Sequence, residues 1–87
     1  MIKVLDFYAD WCAPCKIMTP AFAELKVEYA GKAEFESIDV EANGSLASQY
    51  RVMSIPTFVI LKEGQEVSRK IGAMPKSSLE RWIDENL

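Results

Sequence analysis

The period of the apolar positions changes along the chain, and the changes mark its elements. Residues 2–8 alternate, with Ile2, Val4, Asp6 and Tyr8 on one face and Lys3, Leu5 and Phe7 on the other. A two-residue period carried by Val, Leu and Phe predicts a strand. From Cys12 to Tyr29 the period lengthens. Ile17, Met18, Ala21, Phe22, Leu25 and Tyr29 recur at three- to four-residue spacing and predict a helix with one apolar stripe. Pro14 falls in its first turn, where a missing N–H costs little. Pro20 removes the bond to the Lys16 carbonyl and predicts a kink, and Gly31 ends the helix.

Residues 33–40 read as a second strand and residues 43–50 as a short helix. Residues 57–62 and 65–71 read as a hairpin turning at Glu63-Gly64. Ser77 with Glu80 has the form of a capping box opening a last helix, whose buried face is Leu79, Trp82, Ile83 and Leu87. The order gives one right-handed βαβ unit, an antiparallel hairpin and a closing helix.

At 87 residues the chain has room for one small domain, taken as residues 1–87, and its stability margin is thin. Hydrophobic residues at 49% and charged residues at 26% are a globular balance. With a net charge of −3 and no run of Lys or Arg, a phosphate-backbone partner is not expected. No apolar run approaches the ~20 residues needed to span a bilayer. The first residues reach Asp6 too early for a signal-peptide core, so a cytoplasmic protein is expected.

Both cysteines lie in Cys12-Ala13-Pro14-Cys15. A stapling disulfide stabilises most by closing a long loop, and this pair closes almost none. The spacing reads as redox chemistry or as half of a metal site. Zinc wants four ligands, and there is no histidine and no further cysteine, so a metal site would need carboxylates or a second copy of the chain. Cys12 also opens the predicted helix, where unpaired N–H groups and the positive end of the dipole stabilise a thiolate, the attacking species in disulfide exchange. Cys15 lies one turn on, on the same face and deeper, placed to resolve a mixed disulfide. This reading requires the outer sulfur to reach its partner from solvent.

Asp6 is a carboxylate in an apolar strand, which is costly unless paired or neutral. Burial raises its pKa and would let it take the Cys15 proton, directly or through water. The alternative is a partly exposed strand-end carboxylate with local hydrogen bonds. Pro56 opens a strand and removes a ladder donor, which fits a strand start. A trans Ile55-Pro56 bond is the ordinary case, and a cis one would leave the Ile55 backbone free to pair with an extended segment. Trp11 is either core or a surface beside the nucleophile, and Trp82 reads as core. Tyr50, Met53 and Met74 line a groove or pack. Lys16 reads as solvated.

Residues 4–16, Val-Leu-Asp-Phe-Tyr-Ala-Asp-Trp-Cys-Ala-Pro-Cys-Lys, resemble the active-site stretch of the thioredoxin family. Ile55-Pro56-Thr57-Phe58, Gly64 and Gly72-Ala73 resemble its cis-proline strand, hairpin and following glycine, so the likeness covers nearly the whole chain. The resemblance implies a thioredoxin-like α/β fold, a four-stranded mixed sheet in the order 2-1-3-4 flanked by three helices. It implies a protein-disulfide reductase with Cys12 as nucleophile, Cys15 as resolving thiol and Asp6 as buried acid/base. It brings the cis form of Pro56 forward. Trp11, Ala13, Pro14, Ile55, Pro56, Gly72 and Ala73 would form the substrate groove. No cofactor beyond the redox-active Cys12-Cys15 disulfide is implied, and no metal. The implied partners of this monomer are disulfide-bearing proteins and a thioredoxin reductase.

Three departures stand out. Ala13 replaces the family's usual glycine, a mild change that favours helix. Ser37 stands where many members carry a lysine near the buried Asp. The family's usual first strand and helix are absent, so residues 33–40 are expected to be a sheet edge guarded by Glu34 and Glu36. One sheet face is expected to lose its cover. An oxidase or isomerase would want a more strongly stabilised thiolate, which a His between the cysteines helps supply. With Ala-Pro there instead, the reducing direction is favoured. A redox-switched binding module remains the reading from another class.

Overall fold

The alternation at the start of the chain becomes β1 (Ile2–Tyr8), and the helical stripe becomes α1 (Ala13–Glu28). The computed structural model describes residues 1–87. It continues with β2 (Ala33–Asp39), α2 (Gly44–Gln49), β3 (Thr57–Lys62), β4 (Gln65–Ile71) and α3 (Lys76–Asn86). The sheet order is β2-β1-β3-β4, as expected. β1 pairs parallel with β2 and antiparallel with β3, and β3 pairs antiparallel with β4.

Because β1 and β3 are central, both their faces are buried. On one face Ile2, Val4, Phe58 and Ile60 meet Met18, Phe22 and Leu25 of α1 and Leu79, Trp82 and Ile83 of α3. Phe22 packs edge-on against Phe35, with ring centroids 5.3 Å apart. On the other face Leu5, Phe7, Ile38 and Val59 are covered by Leu46, Ala47 and Tyr50. That face is not left bare, contrary to the sequence-based expectation. The short α2 and the segment after it fold over it, and the Tyr50 ring lies 5.6 Å from that of Phe7.

β2 is a sheet edge with Glu34 and Glu36 both exposed, as expected. Glu36 reaches Lys3 on the neighbouring strand at 2.6 Å.

Several local expectations are corrected. Ile17 is 69% exposed, because Cys15, Met18, Phe22 and Leu25 take the inward face at 3.6-residue spacing and Ile17 falls outside it. Leu87 is 52% exposed, lying just past the end of α3. The Ser77–Glu80 capping box does not form. α3 starts two residues earlier than such a box allows, behind an extended Pro75 whose carbonyl accepts from Ser78 at 2.9 Å. Pro20 lies inside α1, as the span of the apolar stripe implies. That helix ends at Tyr29, with Gly31 at φ +84° supplying the left-handed turn that follows.

The two helices on the first face are tied by polar contacts. The Tyr29 hydroxyl donates to Asp84 at 2.6 Å, and Lys76 pairs with Glu24 at 2.9 Å and with Glu28. Trp82 is core, as expected, with its indole N–H on Ser68 Oγ at 2.7 Å.

Candidate active site

β1 runs to one end of the sheet's central strands, and α1 begins shortly beyond it. Cys12 occupies the cap position in an extended conformation (φ −90°, ψ 107°), and Ala13 and Pro14 form the first turn. The Cys15 backbone N–H donates to Cys12 Sγ at 3.3 Å. A sulfur has thus taken the place of the oxygen that usually caps a helix, and an orphan helical donor is aimed at it. The same geometry holds negative charge on Cys12 once the pair is reduced.

The two sulfurs are joined as a disulfide, with the Cα atoms 5.2 Å apart. Cys12 is 5% exposed and Cys15 2%. The order of depth is as expected, but the outer residue is far less open than the sequence suggests. Its sulfur is turned inward, toward Cys15 and toward the Ile55 carbonyl oxygen 3.8 Å away. The surface around it is open: Trp11 is 67% exposed, and Ala13 and Pro14 are exposed.

The Ile55-Pro56 bond is cis. Neither the amide nor the carbonyl of Ile55 takes part in a backbone hydrogen bond, so both stay free beside Cys12. Pro56 is buried and Ile55 half-buried against the cysteine pair. The Gly72 amide donates to the Pro56 carbonyl at 2.8 Å, which brings Gly72 and exposed Ala73 alongside. Gly72 has φ +96°, a conformation that a side chain would strain. The sequence-predicted groove residues therefore come from three separated segments, joined by the Cys12–Ile55 contact and the Gly72–Pro56 bond.

Of the doubtful cases, Met53 is 92% exposed next to this loop. Met74 packs against the core and donates its amide to Met18 Sδ at 3.4 Å, and Tyr50 packs on Phe7. Lys16 is exposed and makes no ion pair.

Asp6 is 4% exposed, and its Oδ1 has no hydrogen-bond partner. Burial pushes its carboxyl up from 3.8 to about 7. The partly exposed, locally bonded alternative is thereby set aside. Asp6 and Cys15 line one pocket of about 370 Å³, together with Thr19, Phe35 and Ser37.

Arg69 is a residue the sequence did not single out. It lies on β4, holds Glu66 through two bonds of 2.7 and 2.8 Å, and donates to the Tyr50 carbonyl at 2.6 Å. It thus fastens the end of α2, where the chain turns toward Ile55. Its only sequence signal is the Glu66-x-x-Arg69 spacing, which does not reveal the distant carbonyl.

No group of three or more His, Cys, Asp and Glu side chains is placed to hold a metal ion. No helix is long and apolar enough to cross a membrane.

A vicinal cysteine pair at a helix start, beside a free backbone edge and above a proton-binding carboxyl, defines a dithiol–disulfide oxidoreductase. A model of the thioredoxin family matches residues 1–85. The chain is 43% identical over 86 residues to a thioredoxin of Staphylococcus aureus, covering 99% of this chain and 83% of that one. Its fold is similar to the germline-specific thioredoxin Deadhead of Drosophila melanogaster, with a TM-score of 0.93 and 36% identity over 99% of this chain and 81% of that one. It is also similar to mitochondrial thioredoxin 3 of Saccharomyces cerevisiae, in oxidised form, with a TM-score of 0.88 and 38% identity over 97% and 77%. The chain belongs to the thioredoxin family, and its redox centre is its own Cys12–Cys15 disulfide.

Proposed function

We propose that residues 1–87 act as one thioredoxin-like domain that reduces disulfides in other proteins, with Cys12 as nucleophile and Cys15 as resolving thiol. The observation that carries this reading is the Cys15 amide donating to Cys12 Sγ at the start of α1. It favours the anionic form of the outer sulfur.

The Cys12 thiolate attacks one sulfur of the partner's disulfide, and the other sulfur leaves as a thiolate. Cys15 then loses its proton and attacks Cys12 Sγ. The Cys12–Cys15 bond forms, the mixed disulfide between Cys12 and the partner breaks, and the partner sulfur that was first attacked leaves as a thiolate. Two electrons pass from the dithiol to the partner. Asp6 accepts the Cys15 proton: it is buried, it lines the same pocket, and its carboxyl titrates near neutrality.

The partner's extended chain pairs with the free Ile55 backbone. It rests on the apolar surface of Trp11, Ala13, Pro14, Ile55, Pro56, Gly72 and Ala73. No nucleic acid or membrane is needed at any step. A thioredoxin reductase returns the electrons. On this reading the chain is a cytoplasmic monomer serving electron transport and redox homeostasis.

The test is insulin-disulfide reduction driven by a thioredoxin reductase with its nicotinamide donor, together with a measured reduction potential. Turnover and a potential below the cytosolic glutathione poise are expected. A potential well above that poise would reassign the chain as an oxidase or isomerase.

A further inference from the structure

Asp6 and Ser37 are register partners on the parallel strands β1 and β2, so their side chains stand side by side on one face of the sheet. Asp6 is in the inner strand and buried, whereas Ser37 is on the edge strand and exposed. The pocket of about 370 Å³ runs between them and under Cys15. Its size allows several waters, each with a share of roughly 30 Å³ in the liquid. Asp6 lines this space, and its buried Oδ1 has no protein partner. The pocket includes Cys15 but none of the residues assigned to the groove.

We propose that this pocket is the proton exit of the redox centre: the proton that Cys15 gives to Asp6 leaves sideways past Ser37, at the open edge of the sheet, while the partner still covers the groove.

The inference rests on the acid/base reading of Asp6. Its geometric logic is separate. When the mixed disulfide forms, the partner lies over Trp11, Cys12 and Ile55, and solvent no longer reaches the site from that side. Cys15 must still lose a proton before it can attack. A carboxyl that takes this proton is spent unless it can release it again. An outlet on the other side of Cys15, walled by α1 and the strand edge, lets Asp6 reset with the partner in place. The small Ser37 side chain is what keeps that outlet open. Its exposed hydroxyl can donate to or accept from a passing water.

The charged and titratable groups facing the pocket are Tyr8 and Asp10 from β1 and the turn after it, and Cys15, Lys16 and Lys26 from α1. β2 presents Ser37 and Phe35 there, and β3 places apolar Phe58 beside Asp6. None of the charged groups bonds to Asp6.

The test loads Cys12 with a protein-derived thiol and follows the resolving step by stopped flow from pH 6 to 9. Ser37→Val and Ser37→Leu plug the outlet without adding charge, Ser37→Thr keeps the hydroxyl, and Asp6→Asn removes the acid. Thermal melts report folding for each. In Ser37→Leu and Ser37→Val the resolving step is expected to slow about tenfold at pH 7, with the half-maximal rate moved to higher pH, and Ser37→Thr is expected to keep the wild-type profile. The alkylation rate of Cys12 is expected to stay unchanged. If the plugged variants keep the wild-type rate and profile while Asp6→Asn is slow, the exit is wrong and Asp6 stands. If Asp6→Asn also keeps the wild-type profile, the acid/base reading falls and the exit falls with it.

Discussion

Cys12 Sγ lies 3.8 Å from the carbonyl oxygen of Ile55, a residue 43 positions away in the chain. The attacking atom and the backbone that would hold a partner are therefore one unit. A peptide paired with Ile55 is carried directly over the sulfur. In the oxidised protein this is a packing contact.

Replacing either cysteine should abolish multiple turnover, but the two changes should differ in what they leave behind. Cys15→Ser keeps the attacking sulfur and loses the group that displaces the partner. Disulfide-bearing proteins should accumulate on Cys12, seen as adducts by non-reducing electrophoresis and mass spectrometry. Cys12→Ser should trap nothing, because Cys15 lies one turn deeper and faces the pocket rather than the groove. Adducts on Cys15 in that variant would reverse the assignment.

Asp6 should make stability depend on pH with a definite sign. Its carboxyl binds a proton up to about pH 7 in the folded state and only to about 3.8 when unfolded. Between those values the folded form holds a proton that the unfolded chain has released, so wild-type stability falls as pH rises through the window. Asp6→Asn removes this cost. Its advantage over wild type should be near zero at pH 4 and grow to at most about 4 kcal/mol above pH 7. Urea titrations at pH 4, 6 and 8 would check it, and a pH-independent difference would contradict it.

Arg69→Ala should loosen the approach to the site. It removes a charged donor 2.6 Å from the Tyr50 carbonyl and a paired contact with Glu66. A loss of about 1–2 kcal/mol is expected, since the guanidinium is partly solvated. Amide exchange should accelerate in residues 50–55 more than in β1. A uniform change would make Arg69 a general stabiliser only.

Phe22 joins α1 to the sheet, packed against Phe35 and Phe58 with ring centroids 5.3 and 6.1 Å away. Phe22→Ala should cost about 3–5 kcal/mol. In a domain this small that approaches the whole margin. Phe22→Leu should cost about 1–2 kcal/mol and remain folded, and calorimetry would read both.

Glu34 and Glu36 stand exposed on the edge strand β2. Replacing both with Val should promote edge-to-edge association, visible as dimers or larger species in sedimentation velocity. A strictly monomeric double variant would show that these charges guard nothing.

The strand order came with the likeness to the thioredoxin family, whereas the sequence's own patterning determined the elements and the identity of the reacting pair. Those depend on local facts: a period of two or of three to four, a turn at Glu63-Gly64, and two cysteines one helical turn apart. It also marked Asp6, because an acid in an apolar strand violates its own pattern. It misjudged Ile17, Leu87 and the start of α3, since the rotation of a helix about its axis and two residues of cap position decide exposure there. It predicted a bare sheet face that α2 covers, because how a short helix folds back depends on side chains such as Tyr50 meeting Phe7 from far along the chain. Only the tertiary structure decided how far Cys12 is tucked inward, that Arg69 holds the end of α2, and that a pocket opens beside Asp6 at Ser37. Each of these is a distance between segments remote in sequence, set by packing that local patterning does not encode.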